Sequence, residues 1–465
     1  MTKQAIAAWL QPLLRLLDPT ASIDWQLLHA LADKLDDLLV VYPVGADIRP
    51  GRERRRRLLA IRRELAKQVD TTGHAPQFQL LAQFVCGYRD LDLRDATGLG
   101  HGELIARHGS PTLRHHWIPR LRAGDVAGIA VTESHGGSPP AESRTCAVAE
   151  HAGTWLISGR KTWISRLVEA AVFVVFFRNP RGRLVAAAVD ATSRRLRRYP
   201  VTPSGLTGWA WGVLELDAVP VRADDVLEGD GMALLREHFA GYRPLVTATG
   251  LGAAAAVFDT VATGLANRVE TGELTRLRDS ALMSLGRAHA QLVGALLATA
   301  AAAQLARIED WRTESWSAAI KAYGVDTAHQ LASELSLLLG ASGFRADCQV
   351  AKIRRDLAGL LYADGIHDSL YRAAGKHHIA AATGQAILRP CSHSAVTPCS
   401  AASTATARRS ASKGFTRSRS SVRPQKPAES NSPSAGTSPA TSVSSSTPPS
   451  KTNTTPSGRE SCGHT

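Results

Sequence analysis

Residues Gly128–Pro140 read GIAVTESHGGSPP: an apolar run, a hydroxyl–acid pair at Thr132 and Glu133, then a glycine loop with Ser138. The run predicts a strand. The small residues and free backbone N–H groups after it can approach a phosphate or a flat polar ring, although such a loop alone is more often a plain turn. Working outward, the pattern on either side differs. Downstream, TWLISGRKTWI, AAVFVVFFR, LVAAAVD and VLELDAVPV are short runs rich in Val, Ile, Phe and Trp, separated by Gly, Pro or Asp turns. They predict an antiparallel sheet or small barrel. Upstream, WQLLHALADKLDDLL, RRRLLAIRRELAKQV and FQLLAQFVCGY repeat apolar residues at three- and four-residue spacing, as helices do. From Ala233 helical spacing returns and persists to about Leu388. Helices, then strands, then helices predict a three-part chain with real cores.

After Arg389 the composition turns to Ser, Thr, Pro and Ala with few large apolar side chains, which predicts a disordered tail over 389–465. Of the net charge of +14, half sits from Pro390 onward, where nine Lys and Arg face only Glu429 and Glu460. The one dense basic cluster elsewhere is Arg52, Arg54 to Arg57, Arg62 and Arg63. Its spacing with Leu58, Leu59, Ile61 and Leu65 predicts a solvated helix face, with a patch for the phosphates of an acyl carrier arm as the alternative. Charge so distributed does not predict nucleic-acid binding. The Ala-rich run Leu292–Ala306 is short and flanked by arginines, so no membrane span is expected. The N-terminus lacks the pattern of a secretory signal. Six cysteines show no zinc or disulfide spacing, so the expectation is a cytoplasmic protein without a metal site.

Further segments carry polar chemistry: Lys161-Thr162-Trp163-Ile164-Ser165, Leu339-Gly340-Ala341-Ser342-Gly343-Phe344, Arg355-Asp356, and Asp364-Gly365-Ile366-His367-Asp368. In this order and spacing, over roughly Leu91 to Ala380, they resemble the acyl-CoA dehydrogenase flavoprotein family. VTESHGGS is similar to its V-T-E-x-x-x-G-S, ISGRKTWIS to its N-G-x-K-x-W-I-T/S, GASGF to its G-G-x-G-Y/F, and RRDLAGLLYADG to its R-D and E-G-T segments. The resemblance implies an α+β fold: an N-terminal helical domain (1–125), a middle antiparallel β-barrel domain (126–232) and a C-terminal four-helix bundle (233–388).

It further implies an FAD enzyme that takes the α-proton and β-hydride from an acyl thioester, on CoA or an acyl carrier protein. Asp364 falls where the family base stands, one methylene shorter than the usual Glu. Arg243 and Gly365 are then substrate contacts, with the Gly365 N–H polarising the thioester carbonyl. Asp368 is the backup base; either aspartate is alternatively a helix cap. Thr132, Ser138, Trp163 and Ser165 are implied at the flavin, and Arg268, Gly340 and Gly343 at its dinucleotide part, Arg268 from a neighbouring subunit. Departures from the pattern are Tyr242 before Arg243, Pro139 after Ser138, Thr271 after Arg268, and Ala341 for a glycine. Expected partners are an electron-transfer flavoprotein and a second or further copies of this chain, in a dimer or tetramer. An oxidase or monooxygenase-like enzyme using Asp364, and a non-catalytic flavoprotein, are the alternatives.

Overall fold

The computed structural model describes residues 2–69, 71–135, 140–306 and 313–383. Ser138 and the expected disordered tail lie outside the described residues. After short helical turns between Thr2 and Leu17, the N-terminal part contains α1 (Trp25–Val41), α2 (Arg52–Gln68), α3 (Pro76–Arg89), α4 (Glu103–His108) and α5 (Pro111–Arg122). Local sequence explains where several begin. The Asp24 carboxylate accepts from the Leu27 N–H at the start of α1, and the Ser110 hydroxyl caps α5 ahead of Pro111. The 3₁₀ turn Leu91–Asp95 follows α3 and is buried throughout.

Seven strands follow: β1 (Val126–Ala130), β2 (Cys146–Ala149), β3 (Thr154–Ser165), β4 (Ala170–Arg178), β5 (Leu184–Asp190), β6 (Leu196–Val201) and β7 (Trp211–Arg222). They form one sheet in the order β1-β4-β2-β3-β7-β6, with β5 also on β4. This sheet is mixed, which corrects the expectation that it is antiparallel: β1 runs parallel to β4. The reason is connectivity. The β2–β3 hairpin lies between β1 and β4 in the chain, so β4 returns by a crossover in the same direction. The run AAVFVVFFR is apolar without alternation because β4 is covered on both faces. Phe173, Val175 and Phe177 enter one core, and Val172, Val174 and Phe176 the other.

The C-terminal part contains α6 (Gly231–Glu270), α7 (Asp279–Leu305), α8 (Thr313–Ser336), α9 (Gln349–Leu360) and α10 (His367–Ala382). By length and apolarity α6 and α7 are able to cross a bilayer, but 67% of the most apolar window of α6 is buried inside this fold. Its Ala- and Gly-rich stretch makes that possible. A Cβ on Gly252 would fall 2.1 Å from the Phe84 carbonyl oxygen, and one on Gly87 2.0 Å from that of Thr249. α3 and α6 therefore touch backbone to backbone, and any larger residue at either glycine forces them apart.

The basic run on α2 is the solvated face expected at Arg52, Arg56 and Arg63, with Arg55 and Arg57 half-buried, but not at its other two members. Arg54 and Arg62 point inward, because they share the helix stripe of Leu58, Ile61 and Leu65. Arg62 donates to the carbonyls of Asp95, Gly98, Leu121, Gly124 and Asp125. Arg54 donates to the carbonyls of Gly45 and Ile48 and to the carboxylates of Asp90 and Asp92. The Lys352 ammonium closes this cluster, at 2.6 Å from Asp90, 3.0 Å from Asp92 and 2.5 Å from Asp356. Asp356 also accepts from the Leu206 N–H, and Trp209 donates to the Asp92 carbonyl. Three carboxylates with metal-like spacing thus surround an ammonium and clasp all three parts of the chain together.

Candidate active site

Between α9 and α10 the chain turns through residues 361–366, and Asp364 (φ +56°) and Gly365 (φ +112°) both adopt left-handed backbone. A side chain on Gly365 would meet Leu370 at 2.8 Å, so glycine is required there. For Asp364 the conformation is costly, by about 1–3 kcal/mol, and persists only because neighbours impose it. Two cations do so. Arg243 on α6 donates from Nε to the Asp364 carbonyl at 3.3 Å. Lys321 on α8, fully buried, donates to the carbonyls of Leu360 (2.8 Å) and Gly365 (2.7 Å). Burial brings the Lys321 ammonium down to about 8. The Asp364 carboxylate caps nothing: α10 starts from Ile366 without a side-chain cap. Asp368 is exposed, 3.3 Å from His367, and does not face this turn's cations.

The turn faces a buried polar layer. Tyr242, beside Arg243 on α6, stacks on His238 (ring centroids 5.2 Å, 18°) and lies 4.7 Å from the His101 ring. His101 Nδ1 and His238 Nε2 are 3.0 Å apart. Burial depresses both imidazoles, His238 to about 3, so both are neutral near pH 7. Burial raises the Tyr242 phenol, which also feels the charges of Arg166, Asp95, Asp364 and Arg94. Arg166 holds Asp95 through Nε (2.6 Å) and Nη2, and donates from Nη1 to the Ser165 hydroxyl at 2.7 Å. Burial opposes the Arg166 charge, but Asp95 more than compensates and raises it. Arg166, like Asp364, has positive φ (+58°).

The end of β3 completes the picture. Its register on β7 shifts between Lys161 and Ile164, and Trp163 within this bulge has φ +57° and an indole 64% exposed. Ser165 follows two residues on. Thr132 accepts at its carbonyl from the Thr162 N–H, tying the loop after β1 to this strand end. Beneath the loop, Glu133 receives Lys161 Nζ (2.7 Å), the Ser143 and Thr145 hydroxyls and two backbone N–H groups. Burial would raise the Glu133 carboxyl, but Lys161 and these donors hold it down at about 2.

The structure therefore brings Asp364, Gly365, Arg243 and the Ser165–Arg166 strand end to one place. Arg268, Gly340 and Gly343 lie elsewhere. Arg268 is 25 residues beyond Arg243 on the unbroken α6, about 37 Å along the axis. There it pairs with Glu273 at 3.3 Å, and Leu339, beside Gly340, packs near Gly264 one turn back. Sequence reading missed Arg94, Asp95, His101, Arg166, His238 and Lys321. Only Arg166 carried a signal, as a charged residue following the KTWIS strand end.

The family model for the acyl-CoA dehydrogenase middle domain matches residues 128–219, and that for the C-terminal domain matches 229–377. The chain belongs to the acyl-CoA dehydrogenase family. It is 25% identical over 289 residues to the bovine mitochondrial very long-chain specific acyl-CoA dehydrogenase, covering 57% of this chain and 43% of that one. It spans about half the length of the curated relatives it first matches. Butyryl-CoA dehydrogenase from Megasphaera elsdenii shares the fold with a TM-score of 0.67 at 18% identity, over 76% of this chain and 98% of that one. So does a glutaryl-CoA dehydrogenase from Mycobacterium smegmatis in complex with FADH2, with a TM-score of 0.60 at 19% identity over 72% and 96%. Among acyl-CoA dehydrogenase-family motifs, the strand end Trp163–Ser165 lies in the middle-domain match and the Asp364 turn in the C-terminal one.

Proposed function

We propose that this acyl-CoA dehydrogenase-family chain is an FAD-dependent oxidoreductase acting on the Cα–Cβ bond of an acyl thioester, with Asp364 as the base. The observation that carries the reading is the Asp364–Gly365 turn. There the backbone carbonyls of Asp364 and Gly365 are held by Arg243 and Lys321, which fixes the turn in left-handed backbone and leaves the half-buried Asp364 side chain to act.

The residues present fit a flavin. Trp163 offers an open indole face from a strand bulge, and Ser165 offers a hydroxyl two residues on, next to the Asp364 turn. Thr132, Trp163 and Ser165 would hold the ring, and when bound FAD supplies the acceptor for the hydride leaving Cβ. Asp364 removes the α-proton, and the Gly365 N–H is the donor to the thioester carbonyl as enolate charge develops. Arg243 fixes the turn, so that the shorter aspartate is held to position rather than searching for it. The Tyr242–His238–His101 layer excludes water below the base.

The test is an anaerobic titration of the FAD-loaded chain with acyl-CoA and acyl-pantetheine thioesters, followed by flavin absorbance. Reduction is expected, and Asp364→Asn should slow it by about a thousandfold while the yellow spectrum persists. A chain that stays colourless in excess FAD overturns the reading, as does a fast-reducing Asp364→Asn variant.

A further inference from the structure

Resting on that reading, we propose that Arg166 is a positioning residue for the flavin. It fixes the Ser165 hydroxyl as a donor to the ring and turns the positive end of a buried ion pair towards it, so that the bound flavin is easier to reduce. Three bonds fix the guanidinium. Nε and Nη2 hold the Asp95 carboxylate side by side, Nε at 2.6 Å, and Nη1 donates to the Ser165 hydroxyl oxygen at 2.7 Å. The fork is therefore divided: its Nε–Nη2 edge is spent on the carboxylate, and Nη1, outside that edge, is spent on Ser165. Because the Ser165 oxygen accepts that bond, its own O–H points elsewhere, and among the described residues no acceptor takes it. A hydroxyl that accepts from a cation is the stronger donor for it. Ser165 is half-buried and stands two residues beyond the exposed Trp163 indole, so an incoming ring can reach the open O–H.

The backbone shows that Arg166 is held for its direction. It follows β3 in left-handed conformation (φ +58°), costly for any residue but glycine, in a turn where its carbonyl accepts from the Ala170 N–H at 2.9 Å. The residue is 2% exposed, so the side chain has no water to swing into. Several charges surround it. Asp95, its partner, lies 3.8 Å from Arg94 Nε and gives its carbonyl to Arg62. Asp364 is the second carboxylate acting on Arg166, and Arg62 a further cation. Farther out, Arg243, Lys321, Glu314 and Asp326 act around Asp364, and Asp92 acts with Arg94. Cation and carboxylate nearly cancel in the Arg166–Asp95 pair, so what reaches Ser165 is an oriented dipole rather than a bare charge. A ring that takes up a hydride gains negative charge, and a positive end already fixed beside it stabilises that state without reorganising.

The test measures the two-electron reduction potential of bound FAD on the full chain, by equilibration with a reference dye, alongside the FAD dissociation constant and the melting temperature. Native chain is compared with Arg166→Met, Arg166→Lys, Ser165→Ala and the double variant Asp95→Asn with Arg166→Met. The double variant is needed because Arg166→Met alone strands a buried carboxylate. Removing Arg166, alone or with the Asp95 charge, should lower the equilibrium constant for reduction about tenfold, or about 30 mV for a two-electron couple. Arg166→Lys keeps the charge but cannot bond Asp95 and Ser165 together, and should fall in between. Ser165→Ala should lower the potential as well, and in that background the loss from Arg166→Met should shrink, since part of it passes through the hydroxyl. An Arg166 that only braces the fold would lower the melting temperature and leave the potential in place. A constant within about twofold of native in both chains that lack Arg166 overturns the assignment and leaves the dehydrogenase reading standing. So do Ser165 and Arg166 effects that simply add. A native chain that stays colourless in excess FAD takes both readings down.

Discussion

Two buried charge clusters lie a few residues apart and obey opposite rules. In the clasp, Arg54 and Lys352 meet Asp90, Asp92 and Asp356, and these contacts tie the three parts of the chain. In the candidate site, Arg94 keeps an open donor, and Trp163, Arg166 and Asp364 hold left-handed backbone. The 3₁₀ turn Leu91–Asp95 serves both, Asp92 meeting Arg54 and Lys352 while Asp95 meets Arg166. Both clusters keep buried polar atoms without a partner, Arg54 Nε and Asp92 Oδ1 in the clasp and Arg94 Nη1 in the site, so it is the backbone that separates them: left-handed backbone held in place by its neighbours marks the site.

The comparison breaks most visibly at Lys352. Lys352→Met leaves three carboxylates buried around an apolar side chain, and should cost about 3–5 kcal/mol of stability in denaturant melts. A loss under about 1 kcal/mol would mean that the clasp is ornamental. Lys321→Met sharpens the other side. It strips a donor from the Leu360 and Gly365 carbonyls, so stability should fall by about 1–3 kcal/mol. Because the Asp364 turn loosens as well, kcat should drop by about 10–100-fold with KM changed far less. Equal losses in kcat and KM, or none, would remove Lys321 from the positioning of the base.

The smallest effect is in pH. Burial, with Asp92 and Asp90 alongside, pushes the Asp356 carboxyl up to about 6 from an ordinary 3.8, against the pull of Lys352. The folded chain therefore takes up that proton before the unfolded chain does, so this one group adds stability as pH falls from 7.5 towards 4. Glu133 works in the opposite sense. Held at about 2 against an ordinary 4.5, it contributes stability that is whole above pH 4.5 and lost on the way down to 2. The neutral His101 and His238, both depressed by burial, outweigh the Asp356 gain: the unfolded chain protonates them below pH 6.5 and the folded chain does not, so melting temperature should fall from pH 7 towards 4. Asp356→Asn should steepen that fall, and an unchanged slope would contradict the surplus carboxylate in the clasp.

The sequence made the three-part order legible, because helical and strand periods change sharply near residues 127 and 233. It also located the Asp364–Gly365 turn and the Trp163–Ser165 strand end through motif order. The inward arginines were readable in principle: Arg54, Leu58, Ile61, Arg62 and Leu65 form one helical stripe, and a stripe faces inward whatever its members. The Asp95–Arg166 pair was not, since its members are 71 residues apart and neither forms a local pattern. The same holds for Lys352 amid its carboxylates, where composition shows charges but not who surrounds whom. The parallel pairing of β1 with β4 depends on a crossover that strand periodicity does not encode.

The span of α6 makes its two ends separable traits. Substitutions at Arg268 and at Arg243, about 37 Å apart on one stiff rod, should combine within a single chain as a simple sum of free energies. A laboratory library or a lineage can therefore rework either end without renegotiating the other.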